Sequence, residues 1–195
     1  MIKEIKIFNR FNMDIFAHTG FENFPYDRWY LVSIYGQTQG EYLTPKTREI
    51  VKTAGCQECI SLNFSDITDT EYEKIDKQKY PEVILFNERH AKEVVGFIDK
   101  VQEDKIPSVF IAHCNAGISR SGAVGTFACD YCGLDYNEFI AQNRYICSNQ
   151  HVLRLLKRVS GFVPLAEHDG IDDSFDPDEI IVPDYYKDDN EEKTV

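Results

Sequence analysis

Cys114 and Arg120 bracket the five residues Asn115-Ala116-Gly117-Ile118-Ser119, and Ser121 follows directly. A thiol and a guanidinium at this spacing can carry out phosphoryl transfer. The first backbone N–H groups of a helix have no partner within the helix, and in a tight loop several of them can converge on one anion. Amides so arranged from Asn115 to Arg120 would hold a phosphate. They would also favour thiolate over thiol, which makes Cys114 a nucleophile at neutral pH. The fork of donors on Arg120 can grip two phosphate oxygens and stabilise the charge that develops on them during transfer. The Ser121 hydroxyl can donate to the sulfur.

The elements needed to position these groups can be read on either side. Pro107 leads into Ser108-Val109-Phe110-Ile111-Ala112, a short apolar run that reads as a buried strand, and a helix opens after it and runs through Ala128. Cys114 therefore falls in a strand-to-helix turn. Upstream, Ile5 and Ile7 alternate with Lys6, and Asp14 to His18 and Trp29 to Tyr35 continue a beginning that reads as strand. Thr44 and Pro45 open a helix that Gly55 ends, and Ile60 to Phe64 is a strand by its alternation. Asn87 caps a helix carrying Ala91, Val94, Val95, Ile98 and Val101 at helical spacing, which crosses over to the strand before Cys114. Two helices close the domain, one capped at Asp135 and one at Ser148-Asn149, with Gly161 as the stop. Strands and helices in alternation predict an α/β fold with a central, mainly parallel sheet flanked by helices on both faces.

The segment His113-Cys114-x-x-Gly117-x-Ser119-Arg120-Ser121 resembles the signature loop of the cysteine-dependent protein tyrosine phosphatases, specifically the dual-specificity branch. The resemblance spans roughly residues 30–160. It implies a phosphate-binding strand–loop–helix and a two-step mechanism with no metal and no cofactor. Cys114 attacks phosphorus, Arg120 and the loop amides hold the transferring group, and an aspartate protonates the leaving oxygen. That proton is needed because an alkoxide or phenoxide leaves poorly. In this branch the acid sits just after a strand upstream of the loop, and Phe64-Ser65-Asp66 resembles that position, with Asp69 in reserve. Asp66 precedes Cys114 by 48 residues, more than a compact member would have, so residues 70–88 read as an insertion or an altered loop. The stretch from Asn143-Arg144-Tyr145 to Asn149 and Leu153 resembles one in which an arginine, then an asparagine opening a helix, brace the signature loop.

Bulk properties narrow the partners. The net charge is −12, and residues 167–195 hold twelve acidic side chains against Lys187 and Lys193, a local balance of −10. This charge speaks against a nucleic-acid surface or an anionic membrane as partner. Without a long apolar segment or an apolar signal region the expectation is a soluble, cytoplasmic protein. The expected organisation is a catalytic domain over 1–166 and a flexible acidic tail over 167–195, with an apolar island at Ile180-Ile181-Val182-Pro183. The pairs Cys56/Cys59 and Cys129/Cys132 read as buried free thiols, with a zinc site or a redox couple as alternatives. The expected substrate is a phosphorylated protein or peptide, with phosphotyrosine first and phosphoserine or phosphothreonine as further possibilities. An RNA 5′-triphosphatase or nucleotide phosphatase is the alternative enzyme, and a catalytically quiet phospho-residue binder the alternative from another class.

Overall fold

The computed structural model describes residues 1–19, 26–36, 49, 51 and 55–162. Four strands lie in the order β1 (Ile2–Phe8), β4 (Ser108–His113), β2 (Trp29–Tyr35) and β3 (Cys56–Asn63), and each neighbouring pair is parallel. Helices bounded within the described residues are α1 (Arg10–Thr19), α2 (Asp69–Glu73), α3 (Glu88–Glu103), α4 (Arg120–Cys132), α5 (Tyr136–Gln142) and α6 (Gln150–Ser160). The Thr44-Pro45 helix opening and the acidic tail lie outside the described residues.

A parallel sheet needs apolar cover on both faces, and the period-2 geometry of the strands divides the side chains between them. Trp29, Leu31, Val109 and Ile111 meet Met13, Phe16 and Ala17 of α1 on one face. Tyr30, Val32, Ile34, Phe110 and Ala112 meet α3, α4 and α6 on the other, through Val94, Ile98, Val124, Phe127, Val152 and Leu156. The expected α/β architecture with helices on both faces is the one observed. Strand β4, which carries the cysteine, is buried along its whole length.

One expected strand is a helix. The local run Asp14 to His18 suggests extended chain, but Met13, Phe16 and Ala17 follow the i, i+3, i+4 period and pack on the sheet as one stripe of α1. Asn9 opens that helix by accepting the Asn12 N–H at 2.7 Å on its side-chain oxygen. Asn143 covers part of the outer edge of β1: it accepts from Ile7 N at 2.9 Å and donates to Ile5 O at 3.2 Å, as a neighbouring strand would.

Helix α4 is buried nearly all round from Arg120 to Cys129. A helix in that position needs small residues where it crosses its neighbours. A Cβ on Gly122 would stand 3.2 Å from Ile146 Cβ. Among the described residues, no helix is long and apolar enough to cross a membrane.

Candidate active site

Because the strands are parallel, the chain leaves β1, β3 and β4 at the same end of the sheet, where α/β folds place their ligands. Three connections meet there. Cys114 N donates to Phe8 O at 3.4 Å and Arg10 N donates to Asn115 O at 3.1 Å, so the end of β1 runs alongside the cysteine loop. Gly117 has φ +70°, and a Cβ there would lie 2.6 Å from Asn9 N and 2.8 Å from Phe8 C. Only glycine permits both the turn and the approach.

The loop is pinned by its carbonyls. Cys147 N donates to Ile118 O at 3.2 Å and Asn149 N to Ser119 O at 3.2 Å. A planar trans peptide points its N–H away from its C=O, so the amides of Ala116, Ser119 and Arg120 turn away from these outer partners, towards the inside of the loop. Gly117 N donates to Cys114 Sγ at 3.3 Å, and Ser121 Oγ lies 3.1 Å from the same sulfur. With the sulfur as thiolate, the Ser121 hydroxyl is the donor. Cys114, Arg120 and Ser121 are buried, whereas Asn115 and Ala116 are exposed at the mouth.

Arg120 opens α4 and donates from Nη1 to Phe64 O at 3.0 Å, which ties the cysteine loop to the end of β3. Its Nε lies 3.8 Å from Asp66 Oδ2. The other oxygen of Asp66, Oδ1, accepts from Ser119 Oγ at 2.7 Å and from Asn149 Nδ2 at 3.0 Å. The structure thus brings Asp66 to the rim of the cysteine loop. Asp69 goes elsewhere. It accepts from Arg154 Nη2 at 2.6 Å and lies 3.7 Å from His151 Nδ1, and the hydrogen bond from Arg154 holds its carboxyl below the usual range. Asp69 anchors α2 to α6.

The segment between β3 and α3 explains how a distant aspartate reaches the loop. Its two feet are joined: Ser65 N donates to Ile84 O at 2.7 Å, and the Phe64 and Phe86 rings pack edge to face at 4.7 Å. Between them Thr68 and Glu71 cap α2 reciprocally. The residues expected as an insertion thus form an excursion that leaves and returns at one place.

His113 sits under the loop with Nε2 2.9 Å from Ser33 Oγ. Burial, with the Arg120 charge adding to it, pulls its pKa down to about 4, so it is neutral at pH 7. It serves as a neutral packing and hydrogen-bonding group beneath the nucleophile. Arg144, expected to brace the loop, does not reach it. It is exposed and donates to Ala141 O at 3.3 Å, because α5 ends there in a turn that keeps its side chain local. Contacts to the loop come from Asn149, the asparagine of the same expectation, and from Cys147. His151 and Arg154, which hold the acid-bearing segment against α6, carry no sequence signal beyond their i, i+3 spacing. Their partner Asp69 is 85 residues from Arg154 in the chain.

All six cysteines are free. Burial pushes Cys129 up to about 12 and Cys132 up to about 11, and raises Cys56 further, so these thiols stay protonated and act as small packing groups. Neither Cys-x-x-Cys pair adjoins the Cys114 loop in any hydrogen bond of the described residues.

No protein-family model and no curated protein matches the chain. Solved structures similar in fold include Tk-PTP in the active form, at 16% identity over 82% of this chain and 91% of that chain, TM-score 0.45. The human tyrosine phosphatase-like serine/threonine/tyrosine-interacting protein is similar at 16% identity over 69% of this chain and 78% of that chain, TM-score 0.46. PTPMT1 in complex with PI(5)P is similar at 17% identity over 83% and 90%, TM-score 0.43. At such distances the activity has to be read from the site itself.

Proposed function

We propose that this protein is a cysteine-dependent phosphatase that hydrolyses phosphate monoesters, phosphotyrosine in proteins or peptides first among them, through a cysteinyl-phosphate intermediate. The single observation that carries this reading is the arrangement around Cys114 Sγ. The sulfur accepts from Gly117 N and sits beside Ser121 Oγ, with a buried arginine closing the loop and Asp66 beside that arginine. A phospho-residue binder has no need of a nucleophile in this place.

In the first step the Cys114 thiolate attacks phosphorus while the P–O bond to the leaving group breaks. The departing oxygen takes the electron pair and a proton from Asp66. The loop amides and Arg120 stabilise the equatorial oxygens of the transferring group. In the second step Asp66, now a carboxylate, accepts a proton from water as its oxygen bonds to phosphorus. The S–P bond then breaks, which restores the thiolate and releases inorganic phosphate. The loop carries Asn115 and Ile118 and no lysine, which suits a phosphate of modest charge. We assign the catalytic domain to residues 1–166 and leave the acidic tail out of the chemistry.

The test is turnover of a small aryl phosphate and of a phosphotyrosine peptide, with chelator present, beside a triphosphate-ended RNA. Cleavage of the two monoesters, lost in Cys114→Ser, is expected. Phosphate release from the RNA alone would transfer the assignment to a triphosphatase. Tight phosphopeptide binding without turnover would make the protein a binder.

A further inference from the structure

Ser119 occupies the N-cap position of α4, where a serine ordinarily accepts a hydrogen bond from the first turn of its own helix. Here it makes no side-chain cap at all. Its hydroxyl donates instead to Asp66 Oδ1 at 2.7 Å, across 53 residues of chain. Asn149 is the N-cap of α6 and does its capping with Oδ1, which accepts Val152 N at 3.2 Å. Its amide nitrogen is directed the other way, to the same Asp66 Oδ1 at 3.0 Å and to Ile67 O at 3.5 Å. The asparagine is buried, so this is a fixed contact between packed elements.

Two donors on one carboxyl oxygen have a chemical consequence. A carboxyl oxygen has two in-plane acceptor directions. On Oδ1 both are taken by O–H and N–H donors, so a proton placed there would face other hydrogens. Among the described residues Oδ2 carries no such donor contact, and it faces the Arg120 guanidinium at 3.8 Å, the side on which a bound phosphate would lie.

We propose that Ser119 and Asn149 are positioning residues that select which oxygen of Asp66 carries the catalytic proton, holding Oδ1 as acceptor and leaving Oδ2 to protonate the leaving group. This rests on the phosphatase reading above and adds two residues to it. In the first step the Oδ2–H bond breaks as the leaving oxygen gains the proton, and in the second Oδ2 takes a proton from water. Oδ1 keeps its two hydrogen bonds throughout. The carboxyl therefore need not rotate between the steps.

The experiment compares Ser119→Ala, Ser119→Thr and Asn149→Ser with the parent and with Asp66→Ala, on full-length protein. Asn149→Ser retains a capping oxygen for α6 while withdrawing the amide donor, so the helix survives. The substrates are phenyl phosphate, whose leaving group needs a proton, and a strongly electron-poor aryl phosphate, whose leaving group does not. For Ser119→Ala and Asn149→Ser, kcat on phenyl phosphate should fall about tenfold, a fraction of the ~10²–10⁴ that general acid catalysis supplies. On the electron-poor ester kcat/KM, which reports the first step alone, should stay near the parent value, KM for phenyl phosphate should change little, and Ser119→Thr should restore phenyl phosphate turnover. Equal losses on both esters would mean that the two residues only brace the loop, and unchanged phenyl phosphate turnover would mean that Asp66 needs neither; either overturns the inference. The controls separate this from failure of the phosphatase reading, in which the parent shows no Cys114-dependent turnover of either ester, or Asp66→Ala shows no leaving-group dependence.

Discussion

Two connections supply the chemistry, and they are held in place differently. From Cys114 to Ser119 the chain makes six residues of loop between β4 and α4, its carbonyls pinned from outside and its glycine pressed against the end of β1. From Phe64 to Phe86 it makes a much longer excursion with a short capped helix in it, held by ring packing at its feet and by Asn149, His151 and Arg154 of α6 and its cap. The nucleophile is thus placed by short-range backbone geometry, and the acid by contacts between residues far apart in sequence. Removing the nucleophile should therefore abolish chemistry outright and displacing its loop should slow every substrate alike, whereas damage to the second should weaken it in proportion to how far Asp66 moves.

The largest expected effect is at Cys114. Cys114→Ser should abolish turnover while inorganic phosphate still binds, because the loop amides and Arg120 remain. Residual turnover near the parent rate would break the comparison at its first term. Next is Asp66→Ala, which should cost about 10²–10⁴-fold in kcat on phenyl phosphate. Asp69→Ala, an exposed pair with Arg154, should cost less than about fivefold. A larger loss at Asp69 would exchange the two roles. Gly117→Ala should lower kcat by about 10²-fold, since a Cβ clashing with backbone must displace the loop and displacements of about 1 Å are that costly. It should lower kcat/KM for both esters alike, unlike Asp66→Ala.

What was legible in the sequence follows the same division. The strand–loop–helix at Cys114 could be read because its determinants are contiguous: an apolar strand, a glycine where φ is positive, an arginine at the first helical turn. The helices α3 and α6 could be read from their caps and apolar periods. Asp66 needed a resemblance to be singled out, since its position depends on Ser119, Asn149 and the Phe64–Phe86 contact, none of which is local. Arg144 was misread for the converse reason, in that a residue next to the bracing segment need not point at what the segment braces. The run at Asp14 misled because three apolar-rich residues fit either period, and only the sheet face under Met13 and Phe16 decides for helix.

The smallest expected effect concerns stability beneath the loop. His113 titrates near 4 in the fold and near 6.5 as a free side chain, so the unfolded chain binds the extra proton first as pH falls. Stability is therefore full above about pH 6.5 and declines towards pH 4, by at most on the order of 3 kcal/mol. Denaturant melts at pH 7 and pH 5 should show the decline in the parent and a flatter profile in His113→Gln. The same slope in both would remove His113 from the buried support of the nucleophile loop.

The most direct measurement traps the intermediate. With an electron-poor aryl phosphate, Asp66→Ala leaves the first step fast and slows the second, which needs a base, so the phosphorylated enzyme should accumulate. Rapid quenching, digestion and mass spectrometry should find one phosphoryl group on Cys114, absent when Cys114 is also replaced by serine. Phosphate on a different residue, or turnover with no phosphorylated enzyme at any quench time, would contradict the mechanism.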